Sequence, residues 1–169
     1  KALDQVSYHI NPQEFVFITG RSGAGKTTLL RLLIREILPT SGTLTVDDKN
    51  ILKLKNSQIP LLRRQIGSVF QDFKLLPDRT LAENIALSLE IIYVHKADIA
   101  KRVHHLLNLV DLADKADLFP SQLSGGELQR TVIARALAPE PKILFADEPT
   151  GNLDPDTATQ IVDLLKDIN

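Results

Sequence analysis

Gly20-Arg21-Ser22-Gly23-Ala24-Gly25-Lys26-Thr27 fits the pattern G-x-x-x-x-G-K-[ST]. Just before it, Phe15-Val16-Phe17-Ile18 is a short continuous apolar run, as expected of a strand buried on both faces. After it, Leu29, Leu30, Leu33 and Ile37 recur at helical spacing, and Pro39 stops that helix. The pattern thus stands between a strand and a helix, the setting its chemistry needs. Glycines let backbone N–H groups turn inward around an anion, and the helix adds the positive end of its dipole. Lys26 is placed to reach the β- and γ-phosphates of a nucleotide, and the Thr27 hydroxyl to ligate Mg²⁺. With Thr28, these residues form the candidate nucleotide-binding set. A plain glycine turn before an ordinary helix is the bland alternative, and the strand–helix context disfavours it.

Outward from this loop, Val6, Tyr8 and Ile10 alternate with polar residues like a half-buried strand, and Asn11-Pro12 makes a turn. Residues 43–46 and 66–70 read as further strands, with a short helical or irregular piece at 61–64 between them. Residues 72–123 change character and predict an all-helical insert. Thr80-Leu81-Ala82-Glu83 is a capping box that opens a helix to about Tyr93. Ile99, Val103, Leu106, Leu107 and Val110 form the stripe of the next helix, with Asp98 as its expected cap. Strand character resumes at Ile143-Leu144-Phe145-Ala146. A last helix starts at Asp154-Pro155, with Ile161, Leu165 and Ile168 facing inward. Arg63-Arg64 and Lys101-Arg102 read as solvated faces.

The strand at 143–146 ends in two acids, Asp147 and Glu148. In an open parallel sheet, ligands bind at the carboxyl ends of strands. Asp147 and the phosphate loop can therefore meet over one phosphate group, Asp147 supporting Mg²⁺ and Glu148 activating a water for in-line attack. Leu123-Ser124-Gly125-Gly126-Glu127 carries a second capping box, Ser124 at the N-cap and Glu127 at the third helical position. Its two glycines leave room for a group to approach the open N–H donors, so it reads as a second anion-facing helix start.

Composition narrows the classes. The chain has 169 residues, 20 Lys plus Arg against 21 Asp plus Glu, a net charge of −1, and 43% hydrophobic residues. That suits one domain, perhaps carrying an inserted lobe, and it lacks the basic excess of a dedicated nucleic-acid binder. There is no cysteine, which excludes disulfide frameworks and thiolate metal sites. No apolar run approaches the ~20 residues a bilayer span needs. There is no methionine, and the last residues read as an unfinished helix, so both ends are expected to be truncations. His9, His95, His104 and His105 read as surface or partly buried residues.

With these motifs in order, the chain resembles the ATP-binding-cassette (ABC) ATPases, whose signature LSGGQ is here Leu123-Ser124-Gly125-Gly126-Glu127. The resemblance covers essentially the whole chain. It implies an α/β fold: a P-loop NTPase core (1–71 and 124–169) with an antiparallel β-subdomain, and an inserted all-helical subdomain (72–123). It implies ATP and Mg²⁺ as cofactors and a head-to-tail homodimer in which each signature caps the γ-phosphate held by the other copy. Gln71 matches the Q-loop glutamine that reaches Mg²⁺ and the attacking water, and Gly151-Asn152-Leu153-Asp154 matches the D-loop at the dimer interface. The family's base-stacking aromatic is expected upstream of residue 1 and its switch histidine beyond Asn169.

Val69-Phe70-Gln71-Asp72-Phe73-Lys74-Leu75-Leu76-Pro77-Asp78-Arg79-Thr80 narrows the resemblance to the cell-division branch of the family. That implies an integral membrane partner of FtsX type, residence at the cytoplasmic face of the bacterial inner membrane through that partner, control of cell-wall hydrolysis, and no nucleic acid. Cassettes of lipoprotein-releasing or macrolide-export transporters are the alternative. Phe73, Leu75 and Leu76 either form a groove for a partner's helix or pack the insert onto the core.

Overall fold

The computed structural model describes residues 2–169; residue 1, where the expected core segment begins, lies outside them. In chain order the elements are α1 (Lys26–Leu33), β1 (Thr45–Val46), β2 (Lys49–Asn50), α2 (Ile59–Arg64), β3 (Ile66–Val69), α3 (Leu81–Glu90), α4 (Lys96–Leu109), α5 (Gly125–Leu137), β4 (Ile143–Ala146) and α6 (Pro155–Ile168). Short 3₁₀ turns lie at Ile51–Lys53, Asn56–Gln58, Ala113–Lys115 and Pro120–Gln122. The chain divides into two units, Lys1–Arg64 with Asn169, and Gln65–Ile168.

In the first unit, β1 and β2 form an antiparallel hairpin in the register Thr45↔Asn50 and Val46↔Lys49. α1 ends at Leu33, six residues before Pro39, because the chain turns left-handed at Arg35 (φ 57°). The Arg35 N–H donates to Leu32 O (3.1 Å) and the Glu36 N–H to Arg31 O (2.9 Å), a Schellman closure. A non-glycine residue bears this conformation at a cost, which side-chain contacts offset: Arg35 Nε donates to Ile51 O (3.1 Å). Arg63 is more than a solvated face, since its guanidinium donates to Ile34 O (3.0 Å) and Arg35 O (3.3 Å) at the end of α1.

Two expected strands are absent from this unit among the described residues. Residues 6–10 and 15–18 adopt no ladder. Phe15, Val16, Phe17 and Ile18 are 38%, 47%, 63% and 50% exposed. An apolar run encodes a preference for burial, but a strand also needs a neighbour for its N–H and C=O groups, and none pairs with these residues here.

The second unit is built on β3 and β4, parallel in the register Ile66↔Ile143 to Val69↔Ala146. Its core runs from Val69 through Leu81, Ile85, Leu106 and Ile133 to Ile161. Phe73 and Leu75 pack against that core, whereas Leu76 is exposed, which divides the apolar trio between the two expected roles. The Thr80 box opens α3 as expected: Thr80 Oγ1 accepts from the Glu83 N–H, and Glu83 Oε2 from the Thr80 N–H. Asp98 does not cap α4. His95 does, its Nδ1 accepting from the Ala97 N–H (3.4 Å), and Asp98 lies in the first turn, where its charge still favours the helix start. Arg102 also departs from the solvated reading: it donates to Leu137 O (3.0 Å) at the end of α5 and pairs with Glu140. All four histidines are exposed. No helix among the described residues is long and apolar enough to cross a membrane.

Candidate functional site

The glycine loop lies in the first unit. Gly23 (φ 77°) and Gly25 (φ 96°) take left-handed conformations that other residues adopt only under strain. Gly25 is the N-cap of α1 and, lacking a side chain, offers no acceptor to the first turn. A Cβ on Gly25 would stand 2.5 Å from Ala2 O, so space forbids one as well. Lys26 folds back across its own loop and donates to Gly20 O (3.0 Å) and Arg21 O (3.4 Å). Beside the loop is an open, largely apolar cleft of about 340 Å³, lined among others by Tyr8, Val16, Ile18, Gly25 and Lys26.

The second unit gathers Gln71, Asp147, Glu148 and the D-loop residues. β3 and β4 end side by side, so the chain leaves both strands on one edge, at Gln71 and at Asp147. The Asp147 N–H still donates to Val69 O (2.9 Å), which keeps Asp147 in the ladder. Glu148 has left it: its φ is 51°, and its carbonyl accepts from the Gly151 N–H (3.1 Å). The resulting turn brings the D-loop to Gln71. Asn152 Nδ2 donates to Gln71 O (3.5 Å), and a Cβ on Gly151 would lie 3.4 Å from Gln71 Nε2. Asp154 caps α6, Oδ1 accepting from the Thr157 N–H (3.0 Å), and these bonds lower its pKa.

The signature opens α5 through the expected box. The Glu127 N–H donates to Ser124 Oγ (3.4 Å), and Glu127 Oε2 accepts from the Ser124 N–H (2.8 Å) and hydroxyl (2.9 Å). Its two glycines differ in setting. Gly125 is exposed, whereas Gly126 is buried and a Cβ there would stand 2.5 Å from Thr157 Cγ2 of α6. Gly126 therefore serves the approach of α6 in the same chain. Leu153 comes near Gly125, with Cδ2 at 3.4 Å from a Cβ built there, so the D-loop and the signature adjoin.

Two further residues bear on this cluster, and local pattern reading misses both. Arg135 on α5 donates to Phe73 O (2.8 Å) and Lys74 O (2.6 Å), just past Gln71. Phe73 (φ 54°) and Lys74 (φ 50°) are both left-handed, and Lys74 also lies 4.0 Å over the Phe70 ring. Lys115 donates to Glu127 Oε1. That bond first, then those from Ser124, holds the Glu127 carboxyl at a pKa of about 2. Both contacts join residues far apart in sequence, and a basic residue in a helix or turn gives no local signal of its partner.

The profile of the family described as ABC transporter matches residues 3–151. The cell division ATP-binding protein FtsE of Bacillus subtilis (strain 168) is 50% identical over 169 residues, 100% of this chain and 74% of that protein. The methionine import ATP-binding protein MetN 1 of Yersinia pestis bv. Antiqua is 51% identical over 168 residues, 99% of this chain and 49% of that protein. Among solved structures, a dimeric post-hydrolysis state of the ATP-binding cassette MJ0796 bound to ADP and Pi superposes with a TM-score of 0.87 at 40% identity, covering 99% of this chain and 74% of that one.

Proposed function

The chain belongs to the ABC transporter family of ATP-binding cassettes and is an ATPase, and on that premise we propose that it is the ATP-hydrolysing subunit of a cell-division complex of FtsE/FtsX type. The observation that carries the reading is the 50% identity to a cell-division ATP-binding protein along the full chain. The methionine-import relative at 51% identity supports a second reading, a transporter cassette. In the proposed layout, residues 1–71 and 124–169 form the ATPase core and 72–123 its helical subdomain.

Residues Gly20 to Thr28 hold the triphosphate, the N–H groups at the start of α1 taking phosphate oxygens. Lys26 exchanges the Gly20 and Arg21 carbonyls it now holds for the β- and γ-phosphates. Thr27, Gln71 and Asp147 offer hard oxygen donors, a set that fits Mg²⁺ better than a softer metal. When bound there, Mg²⁺ neutralises charge on the phosphates. Glu148 accepts the proton of the attacking water, and Gln71 orients that water. Two copies pair, as the cassette MJ0796 is also dimeric, here head to tail, so that Ser124, Gly125 and the helix start of α5 face the γ-phosphate held by the other copy. The membrane partner is an integral protein of FtsX type, which places the subunit at the cytoplasmic face of the membrane and couples hydrolysis to control of cell-wall hydrolases.

The test uses the full-length protein co-expressed with an FtsX-type membrane protein or with a methionine-transporter permease. A stable complex and altered ATPase activity are expected with the former only. A complex with the permease alone would move the chain to the transporter reading. In the same preparation, Glu148→Gln should spare ATP binding and slow single-turnover hydrolysis by ~10²–10⁴-fold, trapping ATP-bound dimers. Full turnover in that variant would place the base elsewhere.

A further inference from the structure

The signature of this chain ends in a glutamate, and that creates an electrostatic problem. A glutamine at position 127 would cap the helix with a neutral amide. Glu127 caps it with a carboxylate, held ionised well below neutral pH. The face it helps build is the one proposed to meet a triphosphate, and like charges in an interface oppose association. Lys115, from the 3₁₀ turn at the end of the helical segment, stands against that charge. The two carboxylate oxygens divide the work: Oε1 accepts from Lys115, while Oε2 accepts from the Ser124 N–H and hydroxyl. The Glu127 side chain is only 15% exposed and that of Lys115 34%, so solvent screens this pair less than an open surface pair. Asp114 and Arg130 are the other charged groups near Lys115, and they act on it in opposite directions.

We propose that Lys115 is a positioning residue for the ATPase reaction, cancelling the charge of Glu127 and holding its Oε2 on Ser124 so that the signature can face a triphosphate. The proposal rests on the reading of Ser124–Glu127 as the face that meets the other copy's nucleotide. It makes the competence of the signature depend on a residue of the helical segment, twelve residues upstream.

The experiment measures, for the full-length protein, the ATP concentration at half-maximal dimer formation in the Glu148→Gln background, together with KM and kcat in the wild-type background. Lys115→Ala should raise the half-maximal ATP concentration and KM by about tenfold, the order of effect that an uncompensated interfacial charge produces. Lys115→Arg should restore both. Adding Glu127→Gln to Lys115→Ala should bring both within about twofold of wild type, because the charge needing compensation is gone and the amide still caps. A tether with a purely structural role would not recover in that double variant, so a double variant as impaired as Lys115→Ala overturns the proposal. An unchanged Lys115→Ala overturns it too. Ser124→Arg separates the underlying reading: if it dimerises and turns over normally, the signature does not face a nucleotide and the proposal falls with that reading. If Ser124→Arg is inactive while Lys115→Ala is normal, only the role of Lys115 is lost.

Discussion

Replacing Arg135 with alanine tests how the segment after Gln71 is held. Phe73 and Lys74 are consecutive left-handed residues, and each such non-glycine residue costs about 1–2 kcal/mol. The Arg135 guanidinium offsets this through its bonds to Phe73 O and Lys74 O, and hydrogen bonds made by charged groups contribute roughly 1.5–3 kcal/mol each. Phe73 also packs on the core and its N–H donates to Phe70 O (3.3 Å), so the segment is expected to keep its strained shape without Arg135 and to lose the two bonds. Water can replace the partner of Lys74 O at the exposed side but less readily that of Phe73 O, since Phe73 packs on the core. Arg135→Ala should therefore lower the unfolding free energy by about 3 kcal/mol, towards the lower end of the two-bond sum. Arg135→Lys, with one ammonium in place of a planar fork, should lose about half as much. Urea unfolding followed by circular dichroism reads the stability. Because Gln71 lies two residues before Phe73, kcat should fall in the alanine variant while ATP affinity of the phosphate loop is kept. A loss below about 0.5 kcal/mol, the range of ordinary surface changes, together with normal kcat, would refute the reasoning.

Two other expectations follow from buried or ionised groups in the same unit. Asn84 is fully buried, its two amide hydrogens shared among Leu76 O, Arg79 O and Thr80 O and its Oδ1 accepting from the Leu76 N–H, so Asn84→Ala should destabilise the protein by about 3 kcal/mol, chiefly by leaving the Leu76 N–H and Arg79 O without these partners. A thermal midpoint equal to that of wild type would count against this latch. Glu127 has a folded-state pKa of about 2 against an ordinary 4.5, so its stabilising contribution is fully present above about pH 4.5 and is lost as pH falls towards 2. The stability difference between wild type and Glu127→Gln, measured by denaturant unfolding at several pH values, should change across that window and stay flat above it; a difference that does not move between pH 5 and pH 2 would contradict the assignment.

What could be read from the chain beforehand was whatever is encoded within one turn of helix or one loop. The boxes at Thr80–Glu83 and Ser124–Glu127 close on backbone groups three residues away, so their residue types suffice to predict them. The acids stand after β4 and the glycine loop before α1, where the sequence pattern puts them. Residues 15–18 were not, because continuous apolarity states a preference for burial and leaves the partner unspecified. Residue type points to Asp98 as the cap of α4, yet the backbone turns three residues earlier, where a histidine nitrogen does the same work. Arg63, Arg102 and Arg135 bind carbonyls 28 to 62 residues away. Nothing local distinguishes such a clamp from a solvated arginine.

The adjacent acids Asp147 and Glu148 show why sequence proximity misleads about equivalence. Asp147 continues the ladder through its N–H to Val69 O, so β3 fixes its backbone. Glu148 is turned into the left-handed region at φ 51° and starts the turn that Gly151 closes. A glutamate gains nothing from that conformation by itself, and such strain is kept where the surrounding structure imposes it, often at a functional site. Here the turn is what brings Gly151 and Asn152 to Gln71. The backbone at Glu148 is thus tied, through the D-loop turn, to the backbone at Gln71, while that at Asp147 is tied to the sheet. Moving Glu148 means moving the D-loop, and moving Asp147 means breaking a strand. The proposed roles, Asp147 at the metal and Glu148 at the water, sit on these two different backbones, so Asp147→Asn and Glu148→Gln are expected to fail in different steps.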